Sequence, residues 1–196
     1  MTQQTGIYHV EPLRTAEEIN EMKLAIKRGN KGTPKRPKLA HRDVLIFLMG
    51  INTGLRVNDL VRLKVRDVKV QDILTIREGK TYKQREINVE MLREEIQAYI
   101  ADKQPDDYLF TSQKGSKAIT TTQVYRILTD AADYLGRSDI GTHTMRKTFG
   151  YHHYKQFKDV AILQEIFNHA APSITKRYIG IRQDEINASL EHFRLG

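Results

Sequence analysis

Apolar and polar residues alternate between two periods along this chain, and the switch between them sets out the expected elements. Thr15-Ala-Glu-Glu18 is a capping-box pattern, and Ile19, Met22, Leu24 and Ile26 follow at roughly helical spacing, which predicts a helix to about Arg28. Residues 1–13 show no periodicity and read as a loose arm. A second helix is expected over about residues 40–52, stopping at Thr53-Gly54 because glycine suits a helix C-terminus, and a third starts near Arg56. From Val65 to Val89 the period becomes two: Val68 and Val70, then Ile73, Leu74 and Ile76, then Ile87 and Val89. With turn signals at Gln71-Asp72 and Glu78-Gly79-Lys80-Thr81, this predicts two or three short strands, taken here as a small antiparallel three-stranded sheet. So small a sheet must pack on helices. Helical spacing returns from Glu90 to Asp102, Tyr108-Leu-Phe-Thr111 reads as a short extended piece, and a strong helix over about 120–135 closes at Gly136. The remainder to Phe193 reads as helices separated at Lys158-Asp159, Asn168 to Pro172, and Gly180. The class is mainly α with one small sheet (α+β), in a length that suits a single domain.

Charge narrows the function. Thirty-two basic against 24 acidic residues give a net charge of +8 and an isoelectric point near 9.6, which favours a polyanionic partner such as nucleic acid. From Lys23 to Arg42 there are eight Lys or Arg and no acid, with Gly29, Gly32, Pro34 and Pro37 interrupting the middle, a pattern suited to lying along a phosphate backbone. The other reading is a solvated linker. The absence of cysteine excludes disulfides, thiol chemistry and cysteine-based zinc sites, as expected of a cytoplasmic protein. No apolar run approaches the ~20 residues of a membrane helix, and no secretory leader pattern is present.

Three stretches can carry chemistry. In His143-Thr-Met-Arg146 the imidazole and guanidinium stand three apart, so a helix projects both from one face toward one oxyanion, and Thr142 is a credible N-cap. In Thr53-Gly54-Leu55-Arg56-Val57-Asn58-Asp59 the glycine lets Arg56 open a helix, and Asp59, three residues on, can brace that guanidinium. Gly79-Lys80-Thr-Tyr-Lys83-Gln-Arg85 is a basic turn between strands. A His-based metal site is disfavoured: His152 and His153 are adjacent and so diverge on a helix, and no His-Glu-x-x-His occurs. Tyr151 and Tyr154 read as core or groove-lining residues.

Together these pieces resemble the catalytic domain of the tyrosine recombinases, the phage-type integrases and Xer-like resolving enzymes, over about residues 15–193. Arg56 matches the family's first arginine, Lys80 its hairpin lysine, and His143 and Arg146 its His-x-x-Arg box. His169 matches the second histidine, and Tyr178, nine residues later, the nucleophile. Two departures stand out. Phe167-Asn168 replaces the usual Leu-Gly before the second histidine, with Asn able to keep a left-handed turn, and Asp59 stands where Glu is common.

The resemblance implies the recombinase catalytic-domain fold, with an arm over residues 1–14, a catalytic domain over 15–196 that includes a C-terminal helix about 182–193, and no separate DNA-clamping domain ahead of it. That would make the chain either an excised catalytic domain or a small natural member. It further implies site-specific cleavage and rejoining of double-stranded DNA through a 3′-phosphotyrosine, without ATP, cofactor or metal. The roles implied are Arg56 and Arg146 on the phosphate oxygens, His143 and His169 on the phosphate and the tyrosine proton, and Lys80 as acid for the departing 5′ oxygen. Candidate DNA contacts are Lys31, Lys35, Arg36, Lys38, Lys83, Arg85 and Lys147. The partners implied are a homotetramer on two DNA sites, a monomer without DNA, accessory DNA-bending or excision factors, and a nucleoid-associated location when bound. A basic DNA-binding regulator without catalysis and a relaxing topoisomerase of the tyrosine type are the alternatives.

Overall fold

The first helix forms where its cap predicts. In the computed structural model, which describes residues 10–29, 36–68, 72–77, 79, 84–191 and 193–194, α1 spans Ala16–Arg28. Thr15 Oγ1 accepts the Glu18 N–H at 3.1 Å, and the Glu18 carboxylate accepts the Thr15 N–H at 3.0 Å. Helix α2, Pro37–Thr53, begins three residues before the apolar pattern does, because Pro37 fits a first helical turn that needs no N–H. Its apolar residues Leu45, Ile46, Phe47 and Met49 are buried, so α2 is the central beam of the domain. It ends at Gly54, whose φ of 62° reverses the chain into the short helix α3, Val57–Leu60.

A second short helix, α4 (Val65–Val68), replaces the first expected strand. Val65 and Val68 are both buried, and their spacing of three fits one helical turn, whereas the expected strand rested on Val68 and Val70, two apart. Residues 69–71 lie outside the described set. Among the described residues the sheet therefore has two strands, β1 (Ile73–Arg77) and β2 (Gln84–Asn88), antiparallel, with Ile73 opposite Asn88 and Arg77 opposite Gln84. Leu74 and Ile87 face inward. The extended piece at Tyr108–Thr111 makes only isolated bridges, Lys64 with Tyr108 and Thr111 with Ala118.

After a 3-10 turn, Glu90–Leu92, come α5 (Arg93–Ile100), α6 (Thr121–Tyr134) with a Thr120–Gln123 capping box, α7 (Thr142–Phe157), α8 (Val160–Phe167), α9 (Pro172–Tyr178) and α10 (Ile181–Glu191). Two apolar clusters result. The larger one joins α1, α2, the sheet, α5 and α6; the smaller one gathers Tyr151, Tyr154, Leu163, Phe167, Ile179 and Ile181. Helix α7 lies between them, giving Met145 to the first and Tyr151 and Tyr154 to the second, so the side chains that it carries between those two packed faces are held firmly.

Residues 10–14, at the end of the expected arm, are packed rather than loose, and residues 1–9 lie outside the described set. Leu13 is buried, its N–H donates to Thr148 Oγ1 at 2.9 Å, and Glu11 N–H donates to the Asp139 carbonyl at 2.9 Å, so residues 10–14 pack against α7. Val10 and Leu13 are too few to show periodicity, which is why the segment reads as loose. No helix among the described residues is long and apolar enough to cross a membrane.

Candidate active site

Four elements meet at the C-terminal end of α2. Helix α7 starts at Thr142 with Gly141 as its N-cap, and the hydroxyl that serves the cap belongs to Thr144, which accepts the Gly141 N–H at 3.1 Å, rather than to Thr142. This start places His143 in the exposed first turn and Arg146 one turn deeper, only 4% exposed. Arg146 donates from one guanidinium nitrogen to the Gly54 carbonyl and from the other to the Phe167 carbonyl at 3.1 Å, while its carbon lies 4.2 Å from the centroid of the Phe167 ring. Arg56, half-buried at the start of α3, reaches the same Phe167 carbonyl at 3.4 Å. Two guanidiniums from distant segments thus converge on one backbone oxygen.

That oxygen is available because α8 ends sharply. Asn168 takes φ 50° and ψ 49°, a left-handed cap that turns the chain away and leads into His169. The Asn in place of the family's Gly keeps the turn, as the sequence reading expects. Close approach of α7 to this turn depends on Gly150, where a Cβ would stand 2.6 Å from Ile179 Cγ2 and 2.8 Å from the Phe167 ring.

Helix α9 opens on Pro172 and carries Tyr178 in its last turn. The Tyr178 hydroxyl is 3.2 Å from His143 Nδ1, and its ring meets those of Phe167 and His169 edge-on at 5.5 and 5.2 Å. Burial pushes the phenol above its ordinary 10, and the nearby Arg146 and Arg56 pull against that without overcoming it. The phenol is therefore protonated at neutral pH and can attack only if its proton is taken as it does so. His169 Nδ1 is 3.0 Å from Thr175 Oγ1, a fully buried hydroxyl; burial first, then Arg146 and Arg56, hold the imidazole below its ordinary 6.5 and so neutral. Chemically, the cluster is a preformed cradle for an oxyanion beside a phenol and two imidazoles.

The structure thus brings Arg56, His143, Arg146, His169 and Tyr178 together. Asp59 is buried, and where the sequence reading has it bracing Arg56, its Oδ1 accepts the Gly79 N–H at 2.9 Å. Lys31, Lys35, Lys80 and Lys83 lie outside the described residues. Arg36 is exposed at the start of α2, and Lys38 makes an exposed pair with Asp102 at 2.6 Å. Arg85 and Lys147 point inward: Arg85 donates to the Thr53 carbonyl at 2.9 Å, and Lys147 to the Val10 carbonyl at 2.6 Å while lying 5.6 Å from the Tyr178 ring centroid. Sequence reasoning did not find Thr175, Gly150 or the Phe167 carbonyl. A backbone oxygen carries no sequence signal, though Thr175 six residues after a candidate histidine could have been noted. Among the described residues no three His, Cys, Asp or Glu side chains gather to hold a metal, and His152 instead meets the Leu13 carbonyl at 2.9 Å.

Residues 15–185 match the model of the phage integrase family. The probable integrase/recombinase YoeC of Bacillus subtilis is 45% identical over 185 residues, 94% of this chain and 97% of that protein. The tyrosine recombinase XerA of Pyrococcus furiosus is 32% identical over 164 residues, 81% of this chain and 57% of that one. The fold matches that of the XerH site-specific recombinase in a post-cleavage complex with its palindromic difH substrate, with a TM-score of 0.73 at 21% identity over 97% of this chain and 55% of that one. The chain therefore spans nearly all of one relative and little more than half of these Xer-type proteins.

Proposed function

The chain belongs to the phage integrase family of tyrosine recombinases, and from that premise we propose that it cleaves and rejoins double-stranded DNA with Tyr178 as nucleophile. The observation that carries the reading is the seating of the Tyr178 hydroxyl against His143, beside the two guanidiniums that meet at the Phe167 carbonyl. In this mechanism a scissile phosphate settles on Arg56 and Arg146, which neutralise the charge of its pentavalent transition state. Tyr178 Oη attacks phosphorus as a histidine takes its proton; the 3.2 Å contact favours His143, leaving neutral His169 to hydrogen-bond a phosphate oxygen. The bond to the 5′ oxygen breaks, and Lys80 protonates that oxygen as it leaves. A 3′-phosphotyrosine and a free 5′-hydroxyl result, the energy of the phosphodiester is kept, and a second 5′-hydroxyl can reverse the step. Atoms and charge balance with these residues and the two strands.

Two further parts belong to the same reading. Lys31, Lys35, Arg36, Lys38 and Lys83 follow phosphates flanking the cut, whereas Arg85 and Lys147, held by carbonyls, act by shaping the site. The exposed Ile186, Leu190 and Phe193 stand four and three residues apart and offer an apolar stripe for a neighbouring protomer on DNA, consistent with a tetramer on two sites and a monomer without DNA. We take the described unit as one catalytic domain with a short N-terminal arm. The test is to trap the protein on a nicked duplex that loses its leaving strand and to sequence the attached strand. Attachment through a 3′ phosphate at one position supports the reading; attachment through a 5′ phosphate, or none, overturns it.

A further inference from the structure

We propose that Thr175 is a positioning residue for His169: its hydroxyl donates to Nδ1 of the imidazole, which keeps the ring proton on Nε2 and presents an N–H to the scissile phosphate. This rests on the reading of His169 as a phosphate donor given above. Thr175 lies inside α9 and is fully buried, so no solvent reaches its hydroxyl. Such a hydroxyl must give its hydrogen to an acceptor within the protein. A helical threonine ordinarily turns back to the carbonyl three or four residues before it. Here the Ala171 carbonyl already accepts the Ile174 N–H at 3.1 Å and the Thr175 N–H at 3.4 Å, and the Thr175 hydroxyl instead meets His169 Nδ1 at 3.0 Å. Among the described residues Nδ1 is the hydroxyl's one hydrogen-bond partner. A proton on Nδ1 would reverse this bond and leave the hydroxyl hydrogen buried without an acceptor, an arrangement that folded proteins avoid.

A neutral imidazole carries one donor and one acceptor nitrogen, so fixing Nδ1 as the acceptor fixes Nε2 as the donor. Burial and the nearby Arg146 and Arg56 keep the ring from taking a second proton. The His169 backbone N–H is tied to the Gln164 carbonyl at 3.0 Å, and the ring meets those of Phe167 and Tyr178 edge-on at 5.4 and 5.2 Å, so the imidazole has little freedom to turn. The two histidines therefore divide the work by their partners. His143, with Nδ1 3.2 Å from the Tyr178 hydroxyl, takes the phenol proton, whereas His169, already protonated at Nε2, gives a hydrogen bond. Thr175 and Tyr178 stand three apart on α9, so both leave from one side of it. One short helix thus seats the nucleophile and sets the donor, and displacing it withdraws both together.

Nitrogen NMR of histidine-labelled protein at neutral pH reads the tautomer directly, with the His169 signals assigned by their loss in His169→Gln. Wild type and Thr175→Ser should show an unprotonated, hydrogen-bonded Nδ1 and a protonated Nε2, and Thr175→Val should lose the hydrogen-bonded Nδ1 signal. In single-turnover cleavage Thr175→Val should be about 10- to 100-fold slower than wild type, as misplacement of a phosphate donor by roughly 1 Å would cause, and Thr175→Ser should stay within about threefold. The side-chain amide of Gln supplies an N–H with no tautomer to set, so in a His169→Gln background Thr175→Val should cost less than about threefold more. A wild-type ring with its proton on Nδ1 overturns the proposal and leaves the function standing, and that result is available even where Thr175→Val does not fold. An equal loss from Thr175→Val in the wild-type and His169→Gln backgrounds shows that Thr175 acts through packing alone, and it also overturns the proposal. If His169→Phe cleaves as fast as wild type, the reading of His169 as a phosphate donor falls, and the proposal falls with it.

Discussion

Replacing Gly150 by Ala sets two known effects against each other and lets the geometry decide. Ala is a better helix former than Gly by about 1 kcal/mol, so propensity alone predicts a more stable protein. The added methyl, however, would stand 2.6 Å from Ile179 Cγ2 and 2.8 Å from two atoms of the Phe167 ring, against the ~3.5–4.0 Å that carbon atoms prefer. Both neighbours are fully buried, so neither can swing into solvent. Overpacking of this kind typically costs about 1–3 kcal/mol, and contacts this short place it in the upper part of that range. The net expectation is a loss of about 1–2 kcal/mol, which for a chain of this size lowers Tm by roughly 2–8 °C. Catalysis should suffer more than stability. The Phe167 carbonyl holds Arg56 and Arg146, and Ile179 follows Tyr178 directly, so relief of the clash moves the cradle and the nucleophile apart. A displacement near 1 Å is enough to slow the reaction by about 100-fold while the variant remains folded and bound to DNA. Thermal melting, a DNA-binding titration and single-turnover cleavage of a suicide duplex measure the three quantities. A raised Tm with undiminished cleavage would refute the claim that close approach of α7 sets the site.

Three variants and one pH series extend the same reasoning. Thr175→Val keeps the volume of a fully buried residue but removes the partner of His169 Nδ1, so it should cost about 1–3 kcal/mol in urea unfolding and slow cleavage. His169 has its folded pKa below its ordinary 6.5, so the stability tied to its neutral form is present above that pH and is lost as pH falls through the depressed folded value; wild type should therefore weaken relative to His169→Gln as pH drops below 6.5, and parallel curves would contradict it. Neutralising Lys35, Arg36 and Lys38 together should weaken binding to all DNA sequences alike and flatten the salt dependence by about 0.9 for each phosphate no longer neutralised, whereas an unchanged slope would remove this segment from the interface. Deleting residues 183–196 should abolish synapsis of two sites, and intact synapsis would show that the exposed stripe of Ile186, Leu190 and Phe193 has another use.

What the sequence made legible depended on whether side chains carried the information. The capping box at Thr15, the stop at Gly54 and the breaks at Lys158-Asp159 and Asn168 to Pro172 are local chemistry, and each element stands where those residues place it. The five cradle and nucleophile positions could be named because the residue types and their spacings are distinctive. Their physical tie was not legible: Arg56 and Arg146 meet at a carbonyl, and any residue at 167 offers a carbonyl. Val68 illustrates the reverse problem, since it stands two residues from Val70, as strand alternation asks, and three from Val65, as one helical turn asks, until tertiary packing chooses. Asp59 shows a related limit. Proximity in sequence suggested Arg56, and the acceptor was in fact used by a backbone N–H 20 residues away.

Mapping the residue that becomes covalently joined to DNA tests the central claim most directly. Wild-type protein is incubated with a suicide duplex, the denaturant-stable adduct is digested, and the peptide that retains a nucleotide is sequenced by mass spectrometry beside a Tyr178→Phe sample. The account predicts a 3′-linked nucleotide on Tyr178, and in Tyr178→Phe no adduct with DNA binding and folding intact, because only one oxygen has been removed. An adduct that persists in Tyr178→Phe, or one that maps to Tyr151 or Tyr154, would contradict it.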